Sequence, residues 1–198
     1  MMLTDSLPSS VQIGGREYPV ETDFRAGVKF EALMYEDIPD EEKVARAIGI
    51  YFEQPPHEPI DDVVDAILDF YRCGKPPVSV GSSQQVYSFS YDWDAIYASF
   101  LAAYGIDLLD VEYLHWYKFR SMLLALPKDS ALMEIIGWRV AKPSRDMSRE
   151  YRNHMAQMKA LHALPKAKGL RRRFANHKEY RAWVEANMNS AAPSADGS

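Results

Sequence analysis

Apolar residues recur along most of this chain at the three- and four-residue spacing of helices, which predicts a mainly α-helical protein. The clearest helix is predicted from Trp93 to Tyr104. Asp92 or Ser90 can cap its start, and Gly105 can close it in the left-handed conformation. The side predicted to face the core consists of Trp93, Ile96, Tyr97, Phe100, Leu101 and Tyr104. The other side has small residues, so a second segment could cover this helix too.

The segment over residues 110–126 is apolar almost all round, and we predict one helix there, in the centre of the fold. Pro127 ends this helix, Asp129 is predicted to cap the next one, and Pro143 ends that one in turn. The predicted buried side of the third helix consists of Leu132, Ile135, Ile136 and Val140. These three helices form the predicted core.

The N-terminal part opens with a hairpin pattern, two short extended runs separated by Gly14 and Gly15. Three helices are predicted after it, beginning near Asp23, Pro39 and Pro59. The predicted apolar stripe of the last one consists of Ile60, Val63, Val64, Ile67, Leu68 and Tyr71. Its other side carries Asp61, Asp62, Asp65 and Asp69. We interpret these aspartates as a solvated acidic face and not as a metal site, because no matching histidine accompanies them.

The predicted architecture is an irregular helical bundle with a short N-terminal β-hairpin. We predict a helical domain over residues 1–141 with a linker at 74–86 inside it, a basic and Met-rich helical segment over 142–188, and a disordered tail over 189–198. Charge supports this division, since residues 142–181 hold 12 basic and three acidic residues, a net charge of +9. Residues 1–141 hold 11 basic and 23 acidic residues, a net charge of −12.

Sequence patterns for chemistry are missing from the chain. It has no nucleophile elbow, zinc-protease motif, Gly-rich nucleotide fingerprint or CxxC pair, and its five histidines are scattered. His115 lies between Leu114 and Trp116, so we interpret it as a satisfied histidine at the edge of the core. We therefore predict a protein that is not an enzyme, with no catalytic residues, metal or cofactor.

Bulk features suit a protein of the cytoplasm. One cysteine, Cys73, excludes an internal disulfide framework and fits a reducing compartment. No apolar run is long enough to span a membrane, and the N-terminus lacks the basic and apolar regions of a signal peptide. Self-association is left open by the sequence.

Beyond Pro143 one predicted helical face combines methionine, aromatic and basic side chains. Two interpretations stay open for it: a last helix docked on the domain, or a surface that binds a partner. The candidate partner-binding residues are Met147, Arg149, Tyr151, Arg152, Met155, Met158 and Lys159. A basic run follows, consisting of Lys166, Lys168, Arg171, Arg172 and Arg173. It could contact nucleic-acid phosphates, but no motif for reading a specific sequence accompanies it.

Four blocks of sequence resemble the bacteriophage gene-product-fifteen family. They are LPSSVQIGGREYPVETDFRAGVKFE at residues 7–31, YDWDAIYASFLAAYGIDL at 91–108, YLHWYKFR at 113–120 and IGWR at 136–139. The resemblance covers roughly residues 4–185, and the last two blocks are its most specific part.

The resemblance implies a tail assembly chaperone of long-tailed phages and prophages. Such a protein would bind and solubilise the tape-measure protein, help recruit tail-tube subunits, act in the host cytoplasm and be absent from the mature virion. The resemblance brings no catalytic residues. The alternatives are a nucleic-acid-binding accessory protein that uses the basic run, and a minor structural component of the tail.

Overall fold

The structure, a computed structural model, describes residues 4–76, 85–144 and 146–165. Several predictions lie outside these residues: most of the linker at 74–86, the basic run at 166–173, the rest of the segment up to residue 188, and the tail. Two compact units make up the described part of the chain. The first comprises residues 4–22 and 29–75, and the second comprises 23–28, 76, 85–144 and 146–165.

Across the described ranges the secondary structure consists of seven helices and one two-stranded sheet. This confirms the predicted mainly α-helical fold with an N-terminal hairpin. The predicted domain limits at residues 141 and 188 stay a prediction.

The hairpin opens the first unit. Strand β1 (Ser10–Ile13) pairs antiparallel with β2 (Arg16–Pro19). Gly14 and Gly15 connect them with φ angles of 57° and 80°. A two-residue turn with positive φ at both positions matches the twist of the flanking strands, and glycine adopts such angles without steric cost. The Gly-Gly pair therefore fixes the register of the hairpin.

Three helices complete the first unit: α1 (Phe24–Met34), whose first residues belong to the second unit, α2 (Asp40–Tyr51) and α3 (Ile60–Tyr71). Each begins within a residue or two of its predicted start. The hairpin packs on α3, with Ile13 buried. Because two strands alone are only marginally stable in water, this packing is what holds the hairpin in place.

An aromatic cluster fills the core of the first unit. The Phe30 ring lies 5.5 Å from that of Tyr51 and 4.9 Å from that of Tyr71, and Tyr51 meets Phe70 edge-on at 5.8 Å. Phe70 was not in the stripe predicted for α3, yet it is buried because it packs on this cluster. The four aspartates of α3 are exposed, which agrees with the interpretation as a solvated acidic face.

The second unit holds the remaining helices: α4 (Trp93–Tyr104), α5 (Trp116–Leu124), α6 (Ala131–Val140) and α7 (Arg149–Leu161). The ring of Phe119 is at the centre of its core. Four other rings surround it at centroid distances of 4.8 Å for Phe24, 5.0 Å for Phe100, and 5.8 Å for both Phe89 and Trp116. The YLHWYKFR block thus contributes the core of this unit.

Helix α5 is shorter than predicted, because residues 110–115 are not helical. Their backbone pairs instead with Asp23, just before α1. Phe24 N donates to Leu114 O at 2.8 Å, and Leu114 N donates to the Asp23 carboxylate at 3.1 Å. His115 then caps α5, since its Nδ1 accepts from Tyr117 N at 3.0 Å. A distant aspartate therefore competes with helix formation in this segment.

Helix α4 has the predicted limits but a different buried side. Trp93 and Leu101, predicted to be in the core, are 57% and 43% exposed. The buried positions are Ala95, Ile96, Ser99 and Phe100. Small side chains let α6 approach closely, and Ser99 Oγ accepts from Leu132 N at 3.1 Å. The predicted stripe was therefore wrong in orientation by about a quarter of a turn.

Helix α6 also differs from its prediction at both ends. Ser130, not Asp129, occupies its N-cap position. At the other end Val140 is exposed, whereas Arg139 is only 4% exposed. Burial of an arginine requires a partner for its charge, and the structure supplies one.

Candidate functional site

The predicted partner-binding face lies on α7 and on the residues that lead into it. Ser148 caps the helix, since its Oγ accepts from Tyr151 N at 3.1 Å. Helix α7 packs on α6, and the rings of Trp138 and His154 meet edge-on at 5.7 Å. One side of α7 therefore packs against the domain, as in the interpretation of α7 as a docked helix.

The candidate residues divide between the two sides of the helix. Met155 is 6% exposed and is part of the core, and Met147 and Met158 are half-buried. Lys159 is exposed, but its Nζ donates to Ala141 O at 3.1 Å. The side open to solvent carries Arg149, Tyr151 and Arg152. Whether these residues bind a partner stays a prediction.

A buried ion pair that the sequence analysis missed organises the same region. Arg139 Nη1 and Nη2 each donate to one oxygen of Asp92 at 2.7 Å, and both side chains are almost fully buried. Such a two-point contact is the strongest geometry that arginine and carboxylate offer. Asp92 was expected to cap α4, but its side chain makes no cap bond there and instead binds Arg139 and accepts from Ser88 N at 2.8 Å.

Two further contacts of Arg139 connect this ion pair to other segments. Its Nη1 donates to Val86 O at 2.9 Å, and its Nε donates to His162 O at 2.5 Å. His162 is the C-cap of α7. One guanidinium therefore joins the start of α4, the end of α6, the irregular segment before α4 and the end of α7. Since each nitrogen of the guanidinium donates to an acceptor on one of these segments, its role is to hold them together.

The signal for this pair was present in the sequence. Asp92 belongs to the YDWD block and Arg139 to the IGWR block, two of the blocks that carried the family resemblance. An arginine on the apolar side of a predicted helix needs a carboxylate within the fold. Periodicity alone gave no means of choosing that carboxylate among the many acidic residues of the chain.

Other titratable side chains have structural partners as well. His115 is buried and accepts the bond that caps α5, as expected for a satisfied histidine. Among the described residues no group of three or more His, Cys, Asp or Glu side chains is placed to hold a metal ion. No helix in the same ranges is long and apolar enough to span a membrane.

The fold and these contacts define a class: a small helical protein with an aromatic core, whose buried polar groups connect helices and whose exposed helix faces carry apolar and basic side chains. The chain belongs to the bacteriophage Gp15 family. The family model, described as Bacteriophage Gp15 protein, matches residues 3–164. This match confirms the resemblance. Neither a curated protein nor a solved structure matches the chain.

Proposed function

We propose that this protein is a tail assembly chaperone that binds and solubilises the tape-measure protein and helps recruit tail-tube subunits. It acts by contact between proteins, without catalysis or a cofactor. It works in the host cytoplasm and is left out of the mature virion. Family membership supports a role in a phage, and the finer assignment is our inference.

The observation that carries the proposal is the outer side of α7. Met155 anchors the helix, while Tyr151 is 48% exposed between Arg149 and Arg152, which are exposed too. Tyrosine, methionine and arginine are the side chains enriched where proteins bind each other. A surface of this composition suits the apolar side of a partner helix and acidic residues next to it.

Co-expression with the tape-measure protein of the same phage tests the proposal. We expect the soluble fraction of the tape-measure protein to rise and the two proteins to co-purify. Arg149→Glu combined with Arg152→Glu should weaken this association with no change in melting temperature. The matched control is Lys118→Glu with Lys128→Glu, which reverses two exposed charges elsewhere in the second unit and should have no effect.

Two results would contradict the proposal. The first is a wild-type chain that neither solubilises the tape-measure protein nor co-purifies with it. The second is the presence of this protein in purified, intact particles at a stoichiometric level, which would make it a structural component of the tail.

A further inference from the structure

Helix α4 presents an apolar face to solvent. We define the α4 face as Trp93, Tyr97, Ala98, Leu101 and Ala102, which lie on the side of the helix away from α6. Four of these residues are exposed and Tyr97 is half-buried. Asp94 lies on the same side of the helix, and the apolar residues around it extend over three helical turns. Isolated exposed apolar residues are common, whereas a larger exposed apolar patch marks a surface that binds something.

The chain segment that contains the α4 face carries one sign of charge, and Arg25 of α1 reaches its end, where its Nη2 donates to Val111 O at 2.7 Å. Residues 85–112 include five acidic residues and no lysine or arginine. Asp92 is neutralised by Arg139, which leaves Asp94, Asp107, Asp110 and Glu112. We call Asp94, Asp107 and Asp110 the acidic rim.

The acidic rim acts directly on the α4 face at Tyr97. The Tyr97 hydroxyl donates to Asp107 Oδ2 at 3.0 Å. This hydrogen bond, followed by desolvation and by the charges of Asp107 and Asp110, raises the pKa of Tyr97 above its ordinary value. The phenol is therefore held in its protonated form, and its hydrogen bond connects the α4 face to the acidic rim.

We propose that the α4 face docks an amphipathic helix whose apolar side is flanked by lysine or arginine. This inference rests on the proposed function, in which the docked helix belongs to the tape-measure protein. Ala98 and Ala102 are four residues apart and small, so a partner helix can approach the α4 backbone closely. Trp93 and Tyr97 supply aromatic contacts beside them. The acidic rim selects basic flanks, because opposite charges favour the correct partner and like charges exclude others.

Substitutions of opposite sign at Ala98 test the sign of the partner's charge. Ala98 is exposed in the middle of the α4 face, so either a lysine or a glutamate obstructs docking without disturbing the core. We expect Ala98→Lys to reduce recovery of the co-expressed tape-measure protein by more than about tenfold, because it adds like charges at the interface. Ala98→Glu should have a clearly smaller effect.

Ala125 provides the matched control, since it is exposed at the end of α5 and lies outside the α4 face. Ala125→Lys and Ala125→Glu should leave recovery unchanged within about twofold, as is usual for surface substitutions. All four variants should keep the wild-type melting temperature.

Cysteine labelling identifies the occupant of the α4 face. In a full-length Cys73→Ser background, Ala98→Cys should react with a maleimide as fast as Ala125→Cys in the free protein. It should become protected when the tape-measure protein is bound. Slow labelling of the free protein at every concentration would mean that a segment of the same chain covers the face. Slow labelling at high concentration alone would mean that a second copy covers it. Either result overturns the proposal.

Failure of this inference is distinguishable from failure of the proposed function. If the wild-type chain does not co-purify with the tape-measure protein, both are wrong. If the wild type and Ala98→Lys co-purify with it equally well, the α4 face is not the docking surface and the proposed function stands. Equal losses for the lysine and glutamate variants would overturn the basic character of the partner helix.

Discussion

Replacing Arg139 by methionine removes the guanidinium that joins four segments of the second unit and retains much of the side chain's volume. In the native protein this group contacts Asp92, Val86 O and His162 O. The variant leaves the Asp92 carboxylate, which is only 3% exposed, without a cation. Ser88 N is its remaining donor among the contacts described above.

The size of the effect follows from the burial of the pair. Removing one partner of a buried ion pair costs about 3–5 kcal/mol, because the other charge is left uncompensated. We therefore expect the free energy of unfolding to fall by at least about 3 kcal/mol, a large share of the roughly 5–15 kcal/mol that is usual for proteins. For a chain of this size each kcal/mol of lost stability lowers the melting temperature by about 2–4 °C. The melting temperature should then fall by at least about 6 °C.

Urea unfolding, followed by circular dichroism and tryptophan fluorescence, measures this loss. Arg149→Met is the matched control, because it removes an exposed arginine from α7 and should change stability by no more than about 0.5 kcal/mol. Adding Asp92→Asn to Arg139→Met removes the negative charge that Arg139 no longer neutralises and keeps an acceptor for Ser88 N. The double variant should therefore be more stable than Arg139→Met alone.

Two outcomes would refute this reasoning about the pair. One is a loss of less than about 1 kcal/mol in Arg139→Met, the range of exposed ion pairs. The other is a double variant that is no more stable than the single one, because the penalty would then not come from the unpaired carboxylate.

Three further predictions concern the second unit. Gly27→Ala should destabilise by about 1–3 kcal/mol in urea unfolding, because the new Cβ overlaps the Trp116 indole; a gain in stability would contradict this. Trp116→Ala should cost about 3–5 kcal/mol, and an unchanged melting temperature would contradict its burial. Asp107→Asn should lower the pKa of Tyr97, measured as the ultraviolet titration difference from Tyr97→Phe; an unmoved titration would exclude the hydrogen bond as its cause.

Local signals were sufficient for much of the fold. The Gly14-Gly15 pair predicted the hairpin, and proline, aspartate and glycine near element ends located α1 to α4 within a residue or two. These signals act through backbone conformation and through groups close in sequence. They can therefore be recognised in the sequence without knowledge of the tertiary structure.

Long-range pairing explains where the sequence analysis failed. Residues 110–115 have the composition of a helix, but Leu114 N donates to the carboxylate of Asp23, about 90 positions away in the chain, and Leu114 O accepts from Phe24 N. Arg139 is buried because Asp92, 47 positions away, neutralises it. In both cases the deciding partner is an acidic side chain, and 28 acidic residues were available. The spacing of residues along the chain does not show which acidic residue lies close to a given backbone segment or arginine in the folded protein.

The predicted orientation of α4 was wrong for a different reason, which is relevant to function. Apart from Asp94, helix α4 has no charged residue to mark the outside, so large side chains suggested the core side. The structure instead buries the side that holds Ala95, Ile96, Ser99 and Phe100, where the small Ala95 and Ser99 allow α6 to pack at close range and Ser99 Oγ accepts from the first turn of α6. Trp93 and Leu101 are consequently left in solvent. The packing of α4 on α6 therefore explains why the stripe prediction was wrong. It also creates the exposed face to which we propose that a partner helix binds.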